Sequence, residues 1–115
     1  MPDGGCILNV GTAAVAIKAP GLSAYLASKG GLMTLTQSLA KELKARRITA
    51  NAVLPTVLGT PANRRAMPNA DRSSWLLPGE VAAVILFLSR PYRSRRFVMG
   101  TGPDSLPYDS PVFMR

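Results

Sequence analysis

The segment from Leu22 to Arg47 constrains this chain more than any other stretch, because it reads as one long amphipathic helix. Its apolar residues Leu22, Leu26, Leu32, Met33, Leu35, Leu39 and Leu43 recur mostly at three- and four-residue intervals, the period of a helix rather than a strand. Pro20-Gly21 interrupts whatever precedes it, and Ser23 is placed to cap the first turn by accepting from free backbone N–H groups. At the far end Lys41, Lys44, Arg46 and Arg47 set cations where the helix dipole is negative. Gly30-Gly31 costs roughly 1 kcal/mol per glycine against alanine in a helix interior, which predicts close packing there. Tyr25 and Lys29 lie four apart and so share a helix face.

The flanks of the helix read as strands. Cys6-Ile7-Leu8-Asn9-Val10 is a short apolar run bounded by glycines, and Arg47 to Pro55 is β-branched and apolar and ends in proline. Strand, crossover helix and strand make a βαβ unit, whose two strands run parallel. In open parallel sheets ligands sit outside the carboxyl ends of the strands. The segments Gly11–Gly21 and Pro55–Pro61 follow those ends, so both are expected to converge near Tyr25, with Thr12 just past the first strand. This places a site before any chemistry is assigned to it.

Thr56 to Leu77 is rich in proline and basic residues and reads as a long loop or a pair of short helical turns; loops of that length are commonly lids or binding segments. Pro78 suits a first helical turn, and Gly79 to Ser89 continues as a helix apolar almost all the way round. Arg95 to Met99 could begin a further strand, but Gly100, Gly102, Pro103 and Pro107 stop it. The tail from residue 101 to 115 has no readable period and is expected to be irregular. The fold class expected is α/β, with a partial parallel sheet over residues 1–100.

Composition removes several kinds of chemistry. There is no histidine and one cysteine, so a Ser-His-Asp triad, a Cys-His pair, an internal disulfide and a cysteine or histidine metal site are excluded. Cys6, in an apolar run, reads as a small buried hydrophobe. The six carboxylates are too scattered to suggest a paired-acid site. Chemistry then falls to hydroxyls, tyrosines and lysine. The net charge of +8 raises nucleic acid as a partner. Yet only Tyr92 and Phe97 stand near a basic cluster as stacking platforms, so the clusters read as solvated helix ends. No membrane span or basic leader is evident, and a cytoplasmic location is expected.

Four segments together resemble the short-chain dehydrogenase/reductases: Asn9-Val10-Gly11-Thr12, Tyr25-Leu26-Ala27-Ser28-Lys29, Asn51-Ala52-Val53-Leu54-Pro55, and Pro78-Gly79-Glu80-Val81-Ala82 leading to Phe87-Leu88-Ser89. The likeness covers about residues 4 to 100 and corresponds to the second half of a family domain. It implies a Rossmann-like fold, NAD or NADP as cofactor, and a small alcohol or carbonyl substrate. Tyr25 matches the family's proton-transferring tyrosine. A free phenol ionises only near pH 10, and an ammonium one helical turn away favours the phenolate. Lys29 is further expected to hold the nicotinamide ribose. Thr12, thirteen residues before Tyr25, stands where the family has a serine that polarises the substrate oxygen. Pro55, Val57, Leu58 and Thr60 match cofactor-contacting positions, and residues 59–77 match the substrate lid.

The sequence also departs from the family. Thr56 stands where a glycine follows the proline, the catalytic set's helix-borne asparagine has no counterpart, and no glycine-rich phosphate turn precedes these segments. Gly100-Thr101-Gly102 is no substitute, since Pro103 follows it instead of a helix. The reading is a nicotinamide-dependent oxidoreductase working through Tyr25 and Lys29. The alternative is a non-catalytic module that docks to relatives through the 22–47 helix, which is an oligomer interface by the same resemblance. The pyrophosphate of a dinucleotide needs a glycine-rich turn at a helix N-terminus. These 115 residues by themselves are therefore expected to bind neither NADH nor NADPH at micromolar concentration and to associate. Cofactor titration and light scattering check this, and a monomer that binds either cofactor would refute it.

Overall fold

The computed structural model describes residues 1–90 and 112–114. Strand β1, Cys6–Val10, pairs in parallel with β2, Thr49–Pro55, with Leu8 opposite Asn51. A third strand, β3, Val112–Met114, pairs in parallel with the carboxyl end of β2, giving the order β1-β2-β3. The expected α/β parallel sheet is present. One correction falls in the stretch expected to be irregular: three of its residues form β3, a run too short to show a period in sequence. The strand anticipated at Arg95–Met99 and the Gly100-Thr101-Gly102 segment lie outside the described residues.

All seven residues of β2 are buried, as a strand covered on both faces requires. Alternation along the strands assigns the two faces. On one, Leu8 and Val53 pack with Leu76, Val81 and Leu88, and Leu58, Val84, Ile85 and Phe87 lie against that cluster. Helix α4, Pro78–Leu88, supplies most of this layer. Its start is set by Pro78 at the first helical position and by Glu80, whose carboxylate accepts from the Leu77 N–H at 2.8 Å. The Cys6 thiol donates to the Leu88 carbonyl at 3.4 Å, on this same face.

The opposite face carries Ala50, Ala52 and Leu54, whose two alanines let helix α2, Ser23–Glu42, come close. Asn9 on β1 donates from Nδ2 to the Thr36 hydroxyl at 2.8 Å, and that hydroxyl donates to the Leu32 carbonyl at 2.8 Å. Thr36 is only 3% exposed, so this bond is sheltered from competing water.

Helix α2 is shorter than the predicted 22–47 segment. It ends at Glu42 and passes into a 3₁₀ turn over Lys44–Arg46. Arg47 then takes φ 54°, a left-handed conformation that no α-helix continues. Ser23 is not the cap expected of it: Leu22 occupies that position, and no side chain caps the helix. The stripe also divides. Leu26, Leu32, Met33, Leu39 and Leu43 are partly buried, whereas Leu22 and Leu35 are exposed. A short helix α1, Ala14–Ile17, stands in the Gly11–Gly21 connection and packs on α2.

The close packing expected at Gly30-Gly31 is not found. A side chain at Gly30 would meet only Val15 at 3.9 Å, ordinary contact, and one at Gly31 would meet nothing within 4 Å. Neither position needs a glycine within this chain. Gly31→Ala should therefore raise stability by about 0.5–1 kcal/mol in urea unfolding. Leu88→Ala, which empties the α4 side of the core, should lower it by about 2–5 kcal/mol. A loss of stability on Gly31→Ala would mean that another surface occupies that face of α2.

Candidate active site

Four segments meet at the carboxyl ends of β1 and β2. Backbone bonds fix the floor: the Gly11 N–H donates to the Val53 carbonyl at 2.8 Å and the Ala13 N–H to the Pro55 carbonyl at 3.0 Å. Thr12 sits between these two anchors. Its hydroxyl accepts from the Ala14 N–H at 3.2 Å, starting α1, and retains its own O–H to donate.

Lys29 reaches this end from α2. Its Nζ donates to the Val10 carbonyl at 3.1 Å, the last residue of β1. An ammonium has three donors, so two remain for other partners. Tyr25 lies one turn earlier on α2 and is 47% exposed. The Ser28 hydroxyl donates to the Tyr25 carbonyl at 2.9 Å, a bond local to that turn. Thr12 and Lys29 are thus tied to the same strand end, through neighbouring residues of β1 and its exit.

The segment after β2 is pinned at its base. The Leu76 N–H donates to the Val57 carbonyl at 2.9 Å and the Gly59 N–H to the Leu76 carbonyl at 2.8 Å, with Leu58 bridging to Leu76. Between these pins runs helix α3, Pro61–Ala66, one of the short helical turns left open by the sequence. The four expected cofactor-contacting positions have separate local roles. Pro55 ends β2, Val57 and Leu58 close the loop base with Leu58 packed on the core, and Thr60 caps α3 by accepting from the Asn63 N–H at 3.1 Å. Within the loop Arg64 donates to the Gly59 carbonyl at 3.1 Å, Arg72 to the Arg64 carbonyl at 3.4 Å, and the Arg72 guanidinium lies 5.6 Å from the Trp75 ring centre.

Two features escape sequence reading. Thr36 joins the helix to the sheet; its signal was its place in the series Leu26, Met33, Thr36, Ala40, Leu43, which a search for apolar residues passes over. The second is Thr56. Its Oγ1 is buried and has no hydrogen-bond partner among the described residues. For a nicotinamide nucleotide, whose ribose and carboxamide present hydroxyl, carbonyl and amide groups, the donors at this end suit the need: the Lys29 N–H groups and the Thr12 and Thr56 hydroxyls that have no acceptor among the described residues. Among the described residues no three His, Cys, Asp or Glu side chains gather to hold a metal ion, and no helix is long and apolar enough to cross a membrane.

Residues 1–101 match a family model described as enoyl-(acyl carrier protein) reductase. Over 94 residues the chain is 38% identical to the 3-oxoacyl-(acyl-carrier-protein) reductase of Thermotoga maritima, an alignment covering 74% of this chain and 38% of that one. Among solved structures it is similar to 4-hydroxyisoleucine dehydrogenase complexed with NADH, with a TM-score of 0.71, 26% identity, and 96% of this chain and 44% of that one covered. It is also similar to the landomycin C-6 ketoreductase with bound NADP and rabelomycin, with a TM-score of 0.74, 25% identity, and coverage of 98% and 41%. The chain belongs to the short-chain dehydrogenase/reductase family. It spans about two fifths of the length of the relatives it matches.

The segment between α3 and α4 carries a pH-dependent contact. Hydrogen bonds from Ser73, first from its backbone N–H and then from its hydroxyl, hold the Asp71 carboxyl below the usual carboxylate range. A depressed carboxyl stabilises the fold above its ordinary titration range and loses that contribution as pH falls through the folded value. The Ser73 amide should therefore shift, in an NMR titration, at a pH below that of an ordinary aspartate. Asp71→Asn should abolish the transition.

Proposed function

We propose that this chain carries the proton-transfer half of an NAD(P)-dependent oxidoreductase that reduces a carbonyl or oxidises an alcohol of a small molecule. The observation that carries the reading is the Lys29 Nζ bond to the Val10 carbonyl at 3.1 Å, which sets the ammonium at the end of the strand that Thr12 follows by two residues, one helical turn from Tyr25. A nicotinamide bound here supplies or takes up the hydride. The chain's own residues handle the proton. Tyr25 gives its phenolic proton to the carbonyl oxygen during reduction and takes it back during oxidation. Lys29 favours the phenolate left behind through its positive charge, and its remaining N–H groups hold the ribose hydroxyls. The O–H of Thr12 donates to the substrate oxygen, where charge develops.

The reading extends to partners and place. The exposed Leu22, Tyr25 and Leu35 on α2, with the open face at Gly31, favour self-association through this helix. A docking module built on that helix alone is the alternative reading. The cytoplasm is the proposed compartment.

The test is made on the chain joined to a glycine-rich first half of a family domain. Tyr25→Phe should lower carbonyl reduction by about 10²- to 10⁴-fold with cofactor affinity nearly unchanged. Lys29→Ala should weaken both turnover and cofactor binding. Unchanged turnover in Tyr25→Phe would refute the mechanism and leave the docking reading.

A further inference from the structure

A concave surface lies where β1 and β2 begin, at the end of the sheet away from Tyr25 and Lys29. It is a cavity of about 360 Å³ lined by Asp3, Gly4, Ala45, Arg46 and Arg47. Pockets for small molecules start at roughly 300 Å³, so a small ligand fits this one. Gly4 and Ala45 keep part of its wall free of bulk, and a side chain built at Gly4 would meet nothing within 4 Å. Backbone bonds frame the cavity: the Gly4 N–H donates to the Arg46 carbonyl at 3.0 Å and the Thr49 N–H to the Gly5 carbonyl at 3.1 Å.

The two arginines are held differently. The Arg46 Nε donates to the Asp3 carboxylate at 3.0 Å, and its Nη2 donates to the Met1 carbonyl. A guanidinium carries five N–H donors in a fixed fork, so Arg46 is oriented with donors still unengaged among the described residues. The Arg47 guanidinium has no hydrogen bond or ion pair among those residues. Its backbone nevertheless sits at φ 54°, a conformation costly to a residue with a side chain and one in which helix ends commonly place glycine. The turn is closed by backbone bonds alone, from the Arg47 N–H to the Lys44 carbonyl at 3.0 Å and from the Ile48 N–H to the Leu43 carbonyl at 3.3 Å. Glycine would make both with less strain. Cations favour the end of a helix, but Lys41 and Lys44 already supply them. Nothing in the turn itself calls for an arginine at 47.

We propose that Arg46 and Arg47 form a binding site for the phosphate group of a small organic molecule. Guanidinium forks match phosphate oxygens through charge-assisted, often paired hydrogen bonds. The cavity is larger than a bare phosphate ion fills, and the organic part of the ligand lies along Gly4 and Ala45. Repulsion from carboxylates is small. Asp3, the one acid lining the cavity, is taken up by Arg46, and Glu42 accepts from the Ser38 hydroxyl at 2.7 Å. The five residues of β1 separate this site from the Thr12 end by about 16 Å. It therefore stands apart from the proton-transferring pair and does not depend on the oxidoreductase reading.

The probe is ribose 5-phosphate, with ribose as its uncharged counterpart, added to the purified protein and followed by phosphorus and amide NMR. Ribose 5-phosphate should bind with a dissociation constant of about 1 mM and shift the Gly4 and Arg47 amides, whereas ribose should do neither. Arg47→Gly should leave the melting temperature equal or higher and weaken binding by about tenfold or more. Arg47→Gln, which keeps the side chain without its charge, should weaken binding to a similar degree. Lys41→Gln removes a charge from the same helix end but outside the cavity, and should change binding by less than about twofold. An equal loss in the lysine and arginine variants would show diffuse attraction to a basic surface and overturn the proposal. Parent-like binding by both Arg47 variants, or no binding by the parent protein at about 10 mM, would overturn it as well.

Discussion

Complete burial of β2 is the constraint on which the rest of the structure depends. Seven consecutive residues removed from water demand cover on both faces and strand partners on both edges. The faces are met by α4 and α2, and the edges by β1 and β3. Because the pairing is parallel, the exits of β1 and β2 open at the same end. The connections that follow them, one holding Thr12 and the other Thr56, are brought together there without any sequence contact between them.

Polar ties then set what apolar packing alone would leave free. Ala50 and Ala52 offer α2 a smooth surface, on which a helix could slide. The Asn9–Thr36 bond near its middle and the Lys29–Val10 bond toward its start hold it in register against β1. Both bonds end on one short strand. One N–H group of the lysine thus helps to order the helix that bears Tyr25.

Much of this was legible in the residues, and the reasons differ by element. The strands Cys6–Val10 and Thr49–Pro55 and the helices α2 and α4 announce themselves through long apolar periods and proline punctuation. The ends of α2 were not legible, since they depend on backbone angles. Ser23 has a capping side chain but lies one residue inside the helix, and Arg47 takes a left-handed conformation more typical of glycine. Gly30-Gly31 suggested a tight crossing that is absent, because a glycine in sequence says what a position tolerates and not what approaches it. Strand β3 was hidden by its brevity. In the site, the spacing of Thr12, Tyr25 and Lys29 was readable, whereas the satisfied or unsatisfied state of each hydroxyl depends on partners distant in sequence.

The loop closed at Leu58–Leu76 has a mechanical consequence. Two of its three arginines, Arg64 and Arg72, are spent inward, on the carbonyls of Gly59 and Arg64 and on the Trp75 ring, while its first helix is capped by its own Thr60. A segment so bonded to itself has few internal degrees of freedom to yield. It joins the body at the paired backbone bonds of Val57, Gly59 and Leu76. Residues 59–76 thus hold one another in a fixed shape, closed at its base by two backbone bonds.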